Sequence, residues 1–283
     1  MTHFPHHPHP GSTDTFPVVQ RSGIRFFRQV ARGVLGAFEK VGAWGYFLRE
    51  IGRALSEPAT YAPETMRQMK NIGVDSLPLT VIVAGFIGSV IALQTRYQMF
   101  PGVQMSLVGL ATRQMVILEL GPLLTGLVLA GRVGARMAAE IGTMRVTEQI
   151  DALETLAYDP VAFLVLPRIL AAVIMLPVLT VFADSVGVGS GYLMGVYATG
   201  ISPTDFRDGL KLGFGTFQVV YSLLKATMFG GAISFFSAYE GYIAEAGAEG
   251  VGRSTASAVV ITSVAILVLD ALTAVLLAPY LQS

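Results

Sequence analysis

Residues 77–93 read LPLTVIVAGFIGSVIAL, and the uncharged run around them extends over the 20 positions between Asp75 and Arg96. A helix of about 20 apolar residues, rising 1.5 Å per residue, covers a hydrocarbon core of roughly 30 Å. This stretch is therefore a membrane span, and the rest of the chain is read outward from it. The whole sequence agrees with that beginning: 53% of residues are hydrophobic and only 13% charged, and the mean hydropathy is +0.60. Soluble domains carry about 25% charged residues.

Four further windows are long enough to cross and hold a single ionisable residue each. From Gln114 to Gly131 it is Glu119, from Ile169 to Thr204 it is Asp184, from Leu212 to Tyr239 it is Lys225, and from Ser254 to Ser283 it is Asp270. The expectation is an all-α integral membrane protein with five spans near 76–97, 107–131, 164–195, 214–238 and 255–279. Basic residues orient it. With five spans, one side holds 14 Lys/Arg, nine of them in 21–70, four in 132–168 and Arg253, whereas the other side holds Arg96, Arg113, Arg207 and Lys211. The positive-inside rule places the N-terminus in the cytoplasm and the C-terminus outside.

The N-terminal fifth divides in two. Residues 1–20, MTHFPHHPHPGSTDTFPVVQ, contain all four His among several Pro and lack apolar periodicity. They are expected to form a disordered tail, favoured over a metal site, with no basic and apolar regions arranged as a secretory signal. In 24–55, Ile24, Phe27, Val34, Phe38, Val41, Leu48 and Leu55 recur near multiples of 3.5 while Arg and Lys occupy much of the remainder. That pattern predicts a helix in the cytoplasmic interface, with Trp44 and Tyr46 at headgroup depth, in a region running over 21–75 before the five-span domain of 76–283.

Between the second and third spans the chain turns soluble. Residues 145–160 read RVTEQIDALETLAYDP, and 140–159 carry Glu140, Glu148, Asp151, Glu154 and Asp159 against one base, Arg145. Val146, Ile150, Leu153 and Ala157 share one helical face. The prediction is a short amphipathic helix over about 140–158, ended by Pro160 because the residue before a proline leaves the α region. Its acidic face matches an anionic leaflet poorly, so it should dock on protein. Stripes of small residues, Gly126, Ala130, Gly134, Ala138 and Gly142 in the second span and Gly187, Gly191 and Gly195 in the third, predict close helix packing.

At this point a resemblance appears. ELGPLLTGLVLAGRVGARMAAEIGTMRVTEQIDALETLAYDPVAFLVLPR, residues 119–168, is similar to the signature of the MlaE-type permeases, the membrane subunits of ABC lipid transporters that work with MCE proteins. The resemblance extends from about residue 24 to the C-terminus and includes LLKATMFG at 223–230, GAEGVGRSTASAVV at 247–260 and the region of Asp270. It implies a homodimer in a bacterial inner membrane, with an interfacial elbow helix and five spans per chain. It implies as partners a cytoplasmic ABC ATPase, a periplasmic MCE hexamer, a STAS-domain accessory protein and phospholipid, with no nucleic acid.

The acidic segment would then be the coupling helix, with Glu140, Arg145, Val146, Glu148, Ile150, Asp151, Leu153 and Glu154 facing the ATPase. A lipid cavity, by the same resemblance, would be lined by Leu93, Gln94, Tyr97 and Glu119. Many relatives place Arg immediately before this Glu, where this chain has Leu118, which leaves one fewer candidate for the lipid phosphate. The chain has no GxxxxGK[ST] loop, so ATP and Mg are expected on the partner and no cofactor on this chain. No G-x-S-x-G elbow and no His in the membrane region supports catalysis of its own.

The intramembrane charges need partners of their own. Glu119, Asp184, Lys225 and Asp270 would each cost roughly 2.5–3.5 kcal/mol at mid-span, so they should face a bundle interior or a wet cavity. Inter-helix pairing is expected for Asp184 and Asp270, with Lys225 as partner to either. An ion-coupled secondary transporter using these four residues as a relay is the alternative. The acidic cytoplasmic helix and the lack of a visible inverted repeat speak against it.

Overall fold

The computed structural model describes residues 39, 41–55 and 58–281. The tail 1–20 and most of the predicted interfacial helix lie outside the described residues. The chain divides into two compact units between Arg49 and Glu50. Residues 41–54 are helical (α1), and in the first unit Val41, Tyr46 and Leu48 are exposed.

The second unit is helical, and among its described residues no strand occurs. Its elements are α2 (Pro58–Gly73), α3 (Leu77–Gln98), α4 (Ser106–Met115), α5 (Gly121–Leu129), α6 (Ala135–Val146), α7 (Gln149–Thr155), α8 (Leu166–Leu193), α9 (Pro203–Lys211), α10 (Thr216–Tyr242) and α11 (Ala248–Leu277). Five stretches are long and apolar enough to cross a membrane: Tyr61–Gln98, Ser106–Val146, Val161–Ala198, Thr216–Tyr242 and Ala248–Leu277. The protein is a multi-pass membrane protein.

The spans begin earlier or run longer than hydropathy alone indicates. The 21–75 region is not set off from the first span by a loop. α2 passes into α3 through a single tight turn at Val74–Ser76, so the helical segment starts about 15 residues before the apolar run. The second span likewise continues through Arg132 and Arg136 to Val146. Charge ends an apolar window, but a helix with intact backbone hydrogen bonds continues past it into the headgroup region.

Two devices hold the bundle. In lipid the hydrophobic effect offers little between helices, so contact depends on close packing. A Cβ added to Gly88 of α3 would overlap the carbonyl oxygen of Gly187 in α8, and one on Gly241 of α10 would lie 2.7 Å from the Ala138 oxygen in α6. The small-residue stripes of the sequence are those seams: Gly126 rests on Phe229 and Ile266, and Gly142 on Ala244 and Val251. The second device is the π-helical turn. Val116–Leu120, Ala130–Gly134, Val161–Val165 and Met194–Ala198 each add a wide turn within or beside a span. Such turns rotate the next stretch of helix and free a carbonyl for another partner.

At the end of the bundle where α3 gives way to α4, a small core of Ala92, Val108, Ile201 and Phe206 ties α9 to the bundle. Arg113 is buried there, donating to the carbonyl oxygens of Leu210 at 2.7 Å and Leu212 at 3.1 Å. It satisfies the last carbonyls of α9, where a helix end favours a cation.

Candidate functional site

Two places hold the candidate residues that the sequence singles out in the second unit. The first is within the spans. Lys225 of α10 is fully buried, and its Nζ lies 2.8 Å from Glu119 Oε2 and 2.7 Å from Asp270 Oδ1 of α11. It also donates to the Leu118 carbonyl at 3.2 Å and sits 4.9 Å from the centre of the Tyr221 ring. The widened turn Val116–Leu120 supplies both Glu119 and the Leu118 carbonyl, so a local departure from α geometry completes the ammonium's shell.

The structure selects between the two partners expected for Lys225, and both aspartates bond across helices. Asp184 is not the partner of Lys225; its Oδ2 accepts from Ser222 at 2.9 Å, while Oδ1 packs where a Cβ on Gly121 would stand. Asp270 is the partner of Lys225, and Glu119 joins it. Three helices therefore meet on one cation, which holds two carboxylates and leaves a net charge of −1 when all three are ionised. Glu119 also faces outward, its side chain being 44% exposed against 10% for Asp270.

Leu93, Gln94 and Tyr97 stand at the C-terminal end of α3. Leu93 is half-buried and Gln94 exposed, and Tyr97 is 75% exposed. Among the described residues no hydrogen bond joins Gln94 or Tyr97 to Glu119. Glu119 is held instead by Lys225 of α10, so the structure does not join the four expected lipid-site residues within one chain.

The second place is the acidic segment, and here the structure departs from the single helix expected over 140–158. Residues 140–146 belong to α6, the continuation of the second span. The chain then turns sharply at Glu148, whose φ of 59° is left-handed, before the seven-residue α7 begins. The periodicity counted through Val146 thus spans a break, and Val146 does not share a ridge with Ile150 and Leu153. Ile150 is fully buried rather than presented to a partner.

Pro160 does not end this helix. α7 closes earlier, in a Schellman arrangement: Tyr158 N donates to Leu153 O at 3.0 Å and Ala157 N to Glu154 O at 3.0 Å. Ala157 occupies the left-handed position at φ 61°, where Gly is usual. Pro160 then leads into the third span, and Asp159 Oδ1 accepts from Val161 N at 2.8 Å.

The charges sort themselves into tied and free. Glu140 binds Arg136 at 2.8 Å and Arg168 at 3.3 Å, so it joins helices and does not face outward with α7. Asp151 pairs with Arg145 at 2.7 Å, and the Arg145 guanidinium lies over the Tyr242 ring. Glu148 and Glu154 are exposed. Two residues absent from the sequence-based candidates complete the tip: Leu156 is 69% and Tyr158 54% exposed. Their signal was present, since both are large and apolar just ahead of Pro160, but the assumed helix face excluded them. Among the described residues no group of His, Asp and Glu is placed to hold a metal ion.

The chain matches the family model described as Permease MlaE over residues 65–276. It is 42% identical over 235 residues to a probable ABC transporter permease protein of Rickettsia typhi, covering 81% of this chain and 89% of that protein. Over 250 residues it is 30% identical to the intermembrane phospholipid transport system permease protein of Haemophilus influenzae, covering 87% of this chain and 95% of that protein. It is also 35% identical over 207 residues to the chloroplastic protein TRIGALACTOSYLDIACYLGLYCEROL 1 of Arabidopsis thaliana, covering 73% of this chain and 59% of that protein.

Proposed function

The chain belongs to the MlaE permease family, and from that premise we propose that it is the membrane subunit of an ABC transporter that moves phospholipid. Two copies would form the permease in a bacterial inner membrane, N-termini in the cytoplasm and C-termini in the periplasm. Leu93, Gln94 and Tyr97 of α3 and Glu119 of the second span would line a lipid cavity between them. A periplasmic MCE hexamer would exchange lipid with that cavity and so maintain envelope lipid asymmetry, with a STAS-domain protein as a cytoplasmic accessory. The relative from Haemophilus influenzae, named for intermembrane phospholipid transport, supports the cargo.

The observation that carries the coupling role is the α7 elbow. A short helix, offset from the second span by a left-handed Glu148 and closed by a left-handed Ala157, holds Leu156 and Tyr158 outward beside Glu148 and Glu154. An exposed apolar pair rimmed by acids suits a groove with a basic edge on an ATPase. The base of the elbow, with Ile150 buried and the solvent-facing Arg145–Asp151 pair tying α7 to α6, would pass a push on the tip into α6 and hence the second span. That span carries Glu119.

The test is reconstitution of the permease with its ATPase in vesicles holding labelled phospholipid, with an MCE protein as acceptor. Lipid transfer that requires ATP hydrolysis supports the reading. Transfer driven equally by an ion gradient without ATP would move the assignment to a secondary transporter.

A further inference from the structure

A polar cavity lies between α2, the 130–140 segment and the start of α8, apart from the Lys225 cluster. Three guanidinium groups line it, those of Arg132, Arg136 and Arg168, together with Asn71 and Ser76; Glu140 is the carboxylate in its wall. Arg132 donates to the Asp75 carbonyl. Arg136 spends its Nε on Glu140 at 2.8 Å and reaches the Asp75 carboxylate only at 4.0 Å. Arg168, 3% exposed, gives Nη1 to Leu164 O at 2.6 Å and Nη2 to Glu140 at 3.3 Å. Its buried Nε has no partner, nor has the buried hydroxyl of Ser76.

Inter-helix pairing explains part of this arrangement but leaves a surplus. Three guanidinium groups line the cavity against one lining carboxylate, Glu140; Asp75 stands 4.0 Å from Arg136, and Glu64, within electrostatic reach of Arg168, is already paired with Arg67 at 2.8 Å, while a guanidinium carries five donors of which each here uses one or two. Buried polar groups are normally hydrogen-bonded, so the Arg168 Nε–H and the Ser76 hydroxyl have capacity for a further partner, water or an anion. The interior measures about 30 Å³, room for a water-sized group, while Arg132 and Arg136 are exposed at its mouth. An anion would seat one oxygen inside and be forked by the outer guanidinium groups.

We propose that this cavity binds the phosphate of an anionic phospholipid from the leaflet on its own side of the membrane. That leaflet is the cytoplasmic one in the orientation proposed above. Two features favour a lipid over a free phosphate. The cavity lies where apolar spans give way to charged helix, and Met66 of α2 and Val74 of the turn that follows it leave 69% and 59% of their surface open to an acyl chain. The excess of guanidinium charge selects a headgroup without a cation of its own, so phosphatidylglycerol should be held and phosphatidylcholine should not.

Native mass spectrometry of the purified full-length permease tests this without ATP, ATPase or transport, so its outcome is separate from that of the coupling reading. The expected result is more phosphatidylglycerol than phosphatidylcholine retained, with one phosphatidylglycerol per chain weakened about tenfold by Arg132→Gln, the loss of roughly one charged hydrogen bond. Arg136→Gln, whose amide can still donate to Glu140, should weaken the same lipid and serves if Arg132→Gln fails to fold. Inorganic phosphate at millimolar concentration should not displace it. Equal retention of the two lipids, unchanged retention in a folded variant, or displacement by inorganic phosphate would overturn the proposal.

Discussion

At the scale of single residues the decisive feature is one ammonium shared by two carboxylates. Removing Lys225 would leave Glu119 and Asp270 facing each other without their cation, and breaking a buried pair by deleting one partner costs about 3–5 kcal/mol. Lys225→Met should therefore lower the unfolding temperature of the purified permease far more than Asp184→Asn, which loses only acceptor strength toward Ser222. Adding Asp270→Asn to Lys225→Met should recover part of the loss. A Lys225→Met protein as stable as the parent in a thermal melt would show that the trio does not hold the bundle. The need for such a partner was legible in the sequence, because a charge at mid-span has few alternatives. Its identity was not. Glu119 reaches Lys225 through a widened turn that no side-chain pattern announces, and Asp184 finds a serine instead of a lysine.

At the scale of the element, α7 shows where periodicity misleads. Val146, Ile150, Leu153 and Ala157 recur as on one helix, but two left-handed residues, Glu148 and Ala157, cut that helix at both ends. Neither is Gly or Asn, so nothing in the residue types marked the breaks. A non-glycine residue in this conformation costs roughly 1–2 kcal/mol. Ala157→Gly should accordingly raise the unfolding temperature or leave it unchanged, and a clear loss of stability would contradict the left-handed cap. Charge reversal tests the outer face. Asp151 is tied to Arg145, so reversing it would disturb the elbow itself; Glu148→Lys with Glu154→Lys spares that pair. The double variant should stay folded yet lose its ATPase on co-purification, with like charges across an interface costing several kcal/mol. Retention of the ATPase at low and high salt alike would mean that these acids face only water.

At the scale of the whole molecule, the five spans were readable because each apolar window had to exceed the thickness of a bilayer, a constraint that composition alone tests. Their true lengths were not readable, since Arg132, Arg136 and Arg168 end the windows while the helices run on through them. The same three arginines entered the count of basic residues that orients the chain, and the structure shows two of them at the exposed mouth of a cavity and one in its wall. Orientation is thus the property of the whole chain most in need of a direct measurement. The protein has no Cys, so single-cysteine probes report without background. Glu154 and Asp208 are both exposed and lie on opposite sides of the third span in the proposed topology. In intact cells, a membrane-impermeant maleimide should label Asp208→Cys and spare Glu154→Cys, and permeabilising the inner membrane should make the latter reactive. If both label from outside, an even number of spans separates them and the five-span path fails. If only Glu154→Cys does, the path stands but the chain is inverted, and the acidic elbow would face a compartment without ATP.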